Sequence, residues 1–295
     1  MAGLPFSIVD VFAQRKYAGN PLVVVRRAGS MPAEEMQAFA RETNFSETTF
    51  VRSDEVRDGA FDVRIFTPAR EIPFAGHPTL GTAAVLLEEV VRKPVARIDL
   101  RLGVGVIPVT PVYESGRLGL LWMRQNTPAF GKALAAAGVH EALGLAAADL
   151  DARLPIEEVS TGLAHLVVPV KTLDALRRIK VDPARSEKLL AGMGAKSICC
   201  FAPEAREKGN DLSVRVFAHH YGIPEDPATG SANGCLAAYL AKHRVLGGER
   251  VDVRVEQGHE VGRPSLLHLN AEAAEEGIRV DVGGRVVRVA SGELH

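Results

Sequence analysis

The chain has 295 residues, of which 46% are hydrophobic and 24% charged, and its formal net charge is -1. That apolar content suffices for two cores, and the charge leaves no electrostatic footprint for nucleic acid or a membrane surface. The apolar runs fall far short of a bilayer span, and the opening MAGLPFSIVD has no basic region ahead of an apolar core, so a cytoplasmic protein is expected. Strands are predicted at 6–12 (FSIVDVF), 21–25 (PLVVV), 47–51 (ETTFV) and 61–67 (FDVRIFT), each bounded by Gly, Asn, Pro or charged turns. Residues 31–43 (MPAEEMQAFARET) predict an amphipathic helix, with Ser30 as its N-cap and Pro32 in the first turn. The stretch 79–91 (TLGTAAVLLEEVV) is apolar nearly all round, as expected of a helix enclosed by a sheet. Residues 126–155, with Pro128, an Ala-rich helix and Pro155, form a connection. Beyond it the spacing predicts a helix at 183–193, strands at 198–202 and 212–218, an apolar helix at 231–243, and strands at 250–257, 277–282 and 285–290.

The second half repeats the first in register. The segment 62-DVRIFTPAREIPFAGHPTLGTAAVLL-87 lies over 213-SVRVFAHHYGIPEDPATGSANGCLAA-238 without a gap, an offset of 151 residues. From position 32 to 73, ten of 42 aligned pairs are identical, where background composition gives about three. One duplication at half the chain length argues for two similar domains rather than a solenoid, and a cleft between domains is a favoured place for small-molecule chemistry.

In each copy a strand turns through a Gly/Pro-rich loop into the apolar helix, at 73-PFAGHPTLG-81 and 224-PEDPATGSANG-234. The first-turn N–H groups of such helices have no intrahelical partner and suit a carboxylate or a developing oxyanion. Differences between the copies single out side chains. Glu47 aligns with Ile198, His77 with Ala228, and Asp226 with Ala75. Glu47, at a strand start among apolar neighbours, is expected to be desolvated, which suits a general acid/base near neutral pH. Structural alternatives stand beside these roles: a solvated strand-edge charge for Glu47, a satisfied core histidine for His77, and a helix cap for Asp226, Ser46 or Ser231.

No metal and no nucleotide cofactor is expected. Cys199, Cys200 and Cys235 form no ligand-spaced cluster and are expected to be buried small hydrophobes. Adjacent His219 and His220 do not share a strand face, and 192-GMGAKS-197 lacks full phosphate-loop spacing and follows a helix instead of opening one.

The stretches NFSETTFV, RIFTPxxEIPFAGHPTLGTA, EDPATGSANG and QGxEVGRPS, in that order, resemble the phenazine biosynthesis PhzF-like family over essentially the whole chain. The resemblance implies an α+β fold of the diaminopimelate epimerase type. Two pseudo-symmetric domains, residues 1–125 with 286–295 and residues 126–285, would each curl a mostly antiparallel sheet around a central helix, with the active site between them. It also implies a homodimer, Glu47 as the acid/base, and a substrate lined by His77, Asp226, Ser46, Gly76 and Ser231, with Thr229 and Gly230 in the same loop. Related epimerases and racemases use paired cysteines, where this chain has Ala75 and Asp226. With one strong base, the expected chemistry is cofactor-independent isomerisation of a small carboxylate-bearing substrate, trans-2,3-dihydro-3-hydroxyanthranilate or a relative. An amino-acid epimerase and a non-catalytic binding protein of the same fold are the alternatives.

Overall fold

The computed structural model describes residues 3–275 and 277–295, and it has a mixed α/β fold. The chain divides into two compact units, Met1–Arg124 with Gly283–His295, and Gln125–Val282. In chain order the first unit contains β1 (Leu4–Val11), β2 (Asn20–Val25), α1 (Ala33–Thr43), β3 (Glu47–Val51), β4 (Phe61–Phe66), β5 (Glu71–Ile72) and α2 (Gly76–Leu86). It continues through β6 (Ile98–Leu102), β7 (Gly105–Glu114) and β8 (Arg117–Arg124). The second unit contains β9 (Ala129–Leu134), α3 (Val139–Ala142), β10 (Ile156–Ser160), β11 (Ala164–Pro169), α4 (Leu173–Arg178), α5 (Pro183–Leu190) and β12 (Ile198–Ala202). Then come β13 (Leu212–Ala218), β14 (Ile223–Asp226), α6 (Gly230–Lys242), β15 (Val251–Gln257), β16 (Ser265–Ala274) and β17 (Gly277–Gly284), whose last two residues, like β18 (Val286–Leu294), belong to the first unit.

In the first unit β1 lies between β18 and β2, antiparallel to both. β3 joins β2 in parallel, with Glu47 opposite Leu22, and β4 joins β3 antiparallel. Strand β2 is almost continuously apolar, and β3 is buried from Thr48 to Val51, because both faces of these strands are covered. All eleven residues of α2 are buried, and the helix touches β1, β2, β3, β6, β7, β8 and β18. Its all-round apolar sequence has no water-facing side to serve. Contact with the sheet is close at Gly81, where an added Cβ would sit 2.5 Å from Leu22 Cδ2 and 2.8 Å from Val11 Cγ2. Gly81→Val is therefore expected to destabilise the fold by roughly 1–3 kcal/mol through overpacking. A shifted urea midpoint measures this, and an unchanged midpoint would contradict the close approach.

In the second unit β11 and β12 pair in parallel, with Leu166 opposite Ile198, and β12 and β13 pair antiparallel. β9 and β10 extend the β11 side, and β15 and β16 extend the β13 side. The buried helix α6 packs on β10, β11, β12, β15 and β16. Among the described residues, no helix is long and apolar enough to cross a membrane.

Several local expectations need correction. Ser30 is not an N-cap but ends a short 3-10 turn at Ala28–Ser30. Met31 is extended and Pro32 has ψ 154°, so α1 cannot open before Ala33. Helix α2 starts at Gly76 rather than Thr79, because Pro78 falls in the first turn where a missing N–H costs nothing. Past Leu86 the predicted helix becomes a π-helical turn, Leu87–Val91, closed by Arg92 in the left-handed region. The Ala-rich connection holds the unpredicted strand β9, and its helix shrinks to α3 between Gly138 and Gly144, whose φ values are 82° and 66°. Strands β6, β7, β8, β10, β11 and β16 were likewise not predicted.

Candidate active-site residues and family

The first cluster forms where β3 begins beside the start of α2. A buried hydrogen bond between Thr49 Oγ1 and Thr82 Oγ1, 2.8 Å long, ties the strand to the helix. Thr49 and Glu47 project from the same strand face, so this tie also fixes Glu47 against the first helical turn. There, Glu47 Oε2 lies 3.2 Å from His77 Nε2, with side-chain exposures of 13% and 7%. Burial pushes the His77 imidazole down to about 3, so the ring is neutral across the physiological range. Gly76 is buried as the first residue of the helix, and Ser46 is half-buried immediately ahead of β3.

The N-terminus of α2 is open. Ala75 occupies the cap position and supplies no side-chain acceptor. Thr79 turns its hydroxyl back to the Ala75 carbonyl, 2.7 Å away, leaving the N–H groups of Gly76 and His77 without a side-chain cap. Helices α4 and α5 differ, since Thr172 and Asp182 cap them in the ordinary way.

The second cluster lies at the start of α6, also without a side-chain cap. Asp226, 8% exposed at the end of β14, accepts a short hydrogen bond from the Thr229 hydroxyl. It is therefore not the helix cap; Thr229 holds that position. Behind the loop stands Gln257, 1% exposed. Its Oε1 accepts from Thr229 N at 3.2 Å and Asn233 Nδ2 at 2.8 Å. Its Nε2 donates to the Asp226 carbonyl at 2.8 Å and the Thr229 hydroxyl at 3.1 Å. Every hydrogen-bonding capacity of that amide is engaged, so the loop geometry is fixed from behind.

Gly230 is buried as the first helical residue, and Ser231 follows, partly exposed. The Ser231 hydroxyl lies 3.0 Å from His165 Nε2, and His165 Nδ1 lies 2.6 Å from Ser197 Oγ. His165, Ser197 and Gln257 had no role in the sequence reading. Gln257 belongs to the QGxEVGRPS stretch, which carried a resemblance without a mechanism.

Among the described residues, no group of three or more His, Cys, Asp or Glu could hold a metal ion. All three cysteines are buried, and desolvation pushes the Cys235 thiol up to about 11 and the Cys199 and Cys200 thiols well above their ordinary range. None is poised as a thiolate base.

Buried neutral histidines also shape stability. His77 is lowered to about 3 and His165 to about 4, both from an ordinary 6.5. Between those values the unfolded chain binds more protons than the folded one, so stability is greatest above pH 6.5 and falls as pH drops. The urea midpoint is expected to be lower at pH 5 than at pH 7. Equal midpoints would contradict the buried, neutral state of these rings.

A family model described as phenazine biosynthesis-like protein matches residues 9–292. The trans-2,3-dihydro-3-hydroxyanthranilate isomerase of Pseudomonas aeruginosa is 35% identical over 292 residues, covering 98% of this chain and 99% of that protein. A solved phenazine biosynthesis protein of the PhzF family from Bacillus anthracis matches with a TM-score of 0.88 at 30% identity, over 100% of both chains. A predicted epimerase from Pseudomonas aeruginosa matches with a TM-score of 0.82 at 33% identity, over 99% of each chain. With motifs, fold and identity in agreement from end to end, the chain belongs to the phenazine biosynthesis-like protein family.

Proposed function

We propose that the protein is a cofactor-independent isomerase in which Glu47 takes a proton from one carbon of a small carboxylate-bearing substrate and returns it to another carbon of the same π-system. The observation that carries this reading is the enclosed Glu47 carboxylate, 3.2 Å from a neutral His77 at an uncapped helix start. Neutral His77 contributes a dipole to Glu47 rather than a cationic charge, leaving the carboxylate to act as base and then as acid. Relatives named trans-2,3-dihydro-3-hydroxyanthranilate isomerase support that compound as substrate. Glu47 would remove its C3 proton and deliver it within the ring to give an aminoketone, with no net change in atoms or charge.

A substrate carboxylate suits an uncapped helix start, and each unit offers one: Ser46 and Gly76 at the start of α2, and Gly230 and Ser231 at the start of α6. Asp226, a buried carboxylate braced by the Thr229 hydroxyl, suits the amino group by its charge. Electrostatic complementarity of this kind is what a carboxylate-bearing substrate needs while a base moves its proton. An epimerase would need a second base on the opposite face of the carbon, and the buried, protonated cysteines weigh against the paired-thiol version.

The fold detail belongs to the same proposal. Each unit derives from one duplicated copy, with its sheet curled around α2 or α6. Matching parallel registers, Leu22 opposite Glu47 and Leu166 opposite Ile198, support it. A cytoplasmic homodimer completes the reading. The direct test is to incubate the purified protein with trans-2,3-dihydro-3-hydroxyanthranilate in deuterated buffer and follow it by NMR. Conversion in which part of the original C3 protium is found at the new tetrahedral carbon is expected; a folded protein that leaves the compound unchanged would remove it as substrate.

A further inference from the structure

The hydrogen-bonded line Ser197–His165–Ser231 runs from the interior of the second unit to the first turn of α6. Ser197 is 1% exposed and His165 2% exposed, whereas Ser231 reaches partial exposure beside Gly230. We propose that His165 is a positioning residue that holds the Ser231 hydroxyl as a hydrogen-bond donor towards the substrate carboxylate. This assignment rests on the isomerase reading above and gives one member of its binding loop a defined polarity.

The polarity follows from counting protons. Among the described residues, Ser197 Oγ has one hydrogen-bond partner, His165 Nδ1 at 2.6 Å. Were Nδ1 protonated, it would donate to Ser197, and the Ser197 proton would be left buried without an acceptor. A buried orphan donor is costlier and rarer than an under-used oxygen lone pair. Ser197 therefore donates to a bare Nδ1, which places the ring proton on Nε2. From Nε2 the ring donates across 3.0 Å to Ser231 Oγ. With its oxygen occupied as acceptor, Ser231 turns its own proton away from His165 and towards the loop. A neutral ring is required, since only a neutral imidazole has one bare nitrogen, and burial keeps His165 neutral down to about pH 4. The resulting donor stands next to the uncapped N–H groups of Gly230 and Ser231, so the three share one preference for an anion.

The test has two readouts. In protein labelled with 15N-histidine, NMR identifies the His165 ring through the signals lost in His165→Phe and then reports its tautomer. Protonated Nε2 with bare Nδ1 is expected; protonated Nδ1 would overturn the proposal whether or not the substrate is right. In kinetics with trans-2,3-dihydro-3-hydroxyanthranilate, Ser231→Ala and His165→Phe should each raise KM about tenfold, the loss of one hydrogen bond to a charged group, with kcat changed less than about twofold. The double variant should be no worse than either single one, and His165→Gln, whose amide can donate to Ser231, should recover most of the loss. A further tenfold rise in the double variant would show that His165 acts elsewhere and overturn the assignment. Should His165→Phe fail to fold, Ser197→Ala serves instead, and it should raise KM by freeing the tautomer; unchanged KM and tautomer in that variant would overturn the proposal. Wild-type protein that does not turn over the compound removes the isomerase reading, while the tautomer still decides the polarity of Ser231.

Discussion

Glu47→Gln should lower kcat by about 10²- to 10⁴-fold, the range in which a positioned acid/base contributes, while substrate affinity changes less than about threefold. Glutamine keeps the size of the side chain and its place beside His77 Nε2, now 3.2 Å from Glu47 Oε2, so the packing of β3 against α2 survives. What it loses is the ability to accept and return a proton. The helix N–H groups and Asp226 that we propose as binding groups are left alone by the substitution. Single-turnover kinetics and calorimetric binding separate the two effects, because the inert variant can be titrated with intact substrate. A variant within tenfold of wild type would place the base elsewhere, and equal losses in affinity and rate would make Glu47 a binding group.

The second large effect concerns the backbone behind Asp226. Gly258 has φ 79°, and a Cβ there would lie 2.4 Å from the carbonyl oxygens of both Pro227 and Arg263. Backbone oxygens cannot rotate away as a flexible side chain can. Gly258→Ala therefore combines left-handed strain with a clash that pushes on Pro227, the residue after Asp226, and disturbs the adjoining Gln257 amide. The expected cost is roughly 2–4 kcal/mol, which lowers Tm by about 5–15 °C. Unlike an ordinary core defect, it should also lower kcat/KM in the protein that remains folded, since Thr229 and Asp226 lose their brace. Gly262 is the control: its φ is 72°, but an added Cβ meets nothing within 4 Å, so Gly262→Ala should cost only about 1 kcal/mol and leave kcat/KM intact. Equal effects at both positions would mean that the contact with Pro227 is unimportant.

Much of this arrangement was legible in the chain because the in-register sequence repeat supplies an internal comparison. Alignment of Glu47 with Ile198 and of His77 with Ala228 singled out side chains present in one copy alone, and Glu47 and His77 prove to be neighbours. Periodicity located the buried helices, although Pro78 concealed the true start of α2. The supporting residues were hidden for a physical reason. Ser231 and His165 are 66 positions apart in sequence, and Thr229 and Gln257 are 28 apart. No local pattern shows which distant donor a buried imidazole or amide will meet. His165 also sits on β11, whose parallel edge with β12 reads as a plain apolar run rather than as an alternating strand. Even the Asp226 side chain had a bland alternative as the helix cap, a position that Thr229 holds instead.

The central claim, that one carboxylate both removes and returns the proton, is tested most directly with trans-2,3-dihydro-3-hydroxyanthranilate deuterated at C3 and converted in ordinary water under single-turnover conditions. Retention of part of the deuterium at the new tetrahedral carbon of the product, lost together with turnover in Glu47→Gln, is the predicted result. Product whose new hydrogen comes wholly from solvent, formed at an undiminished rate by Glu47→Gln, would contradict it and require separate groups for the two proton transfers.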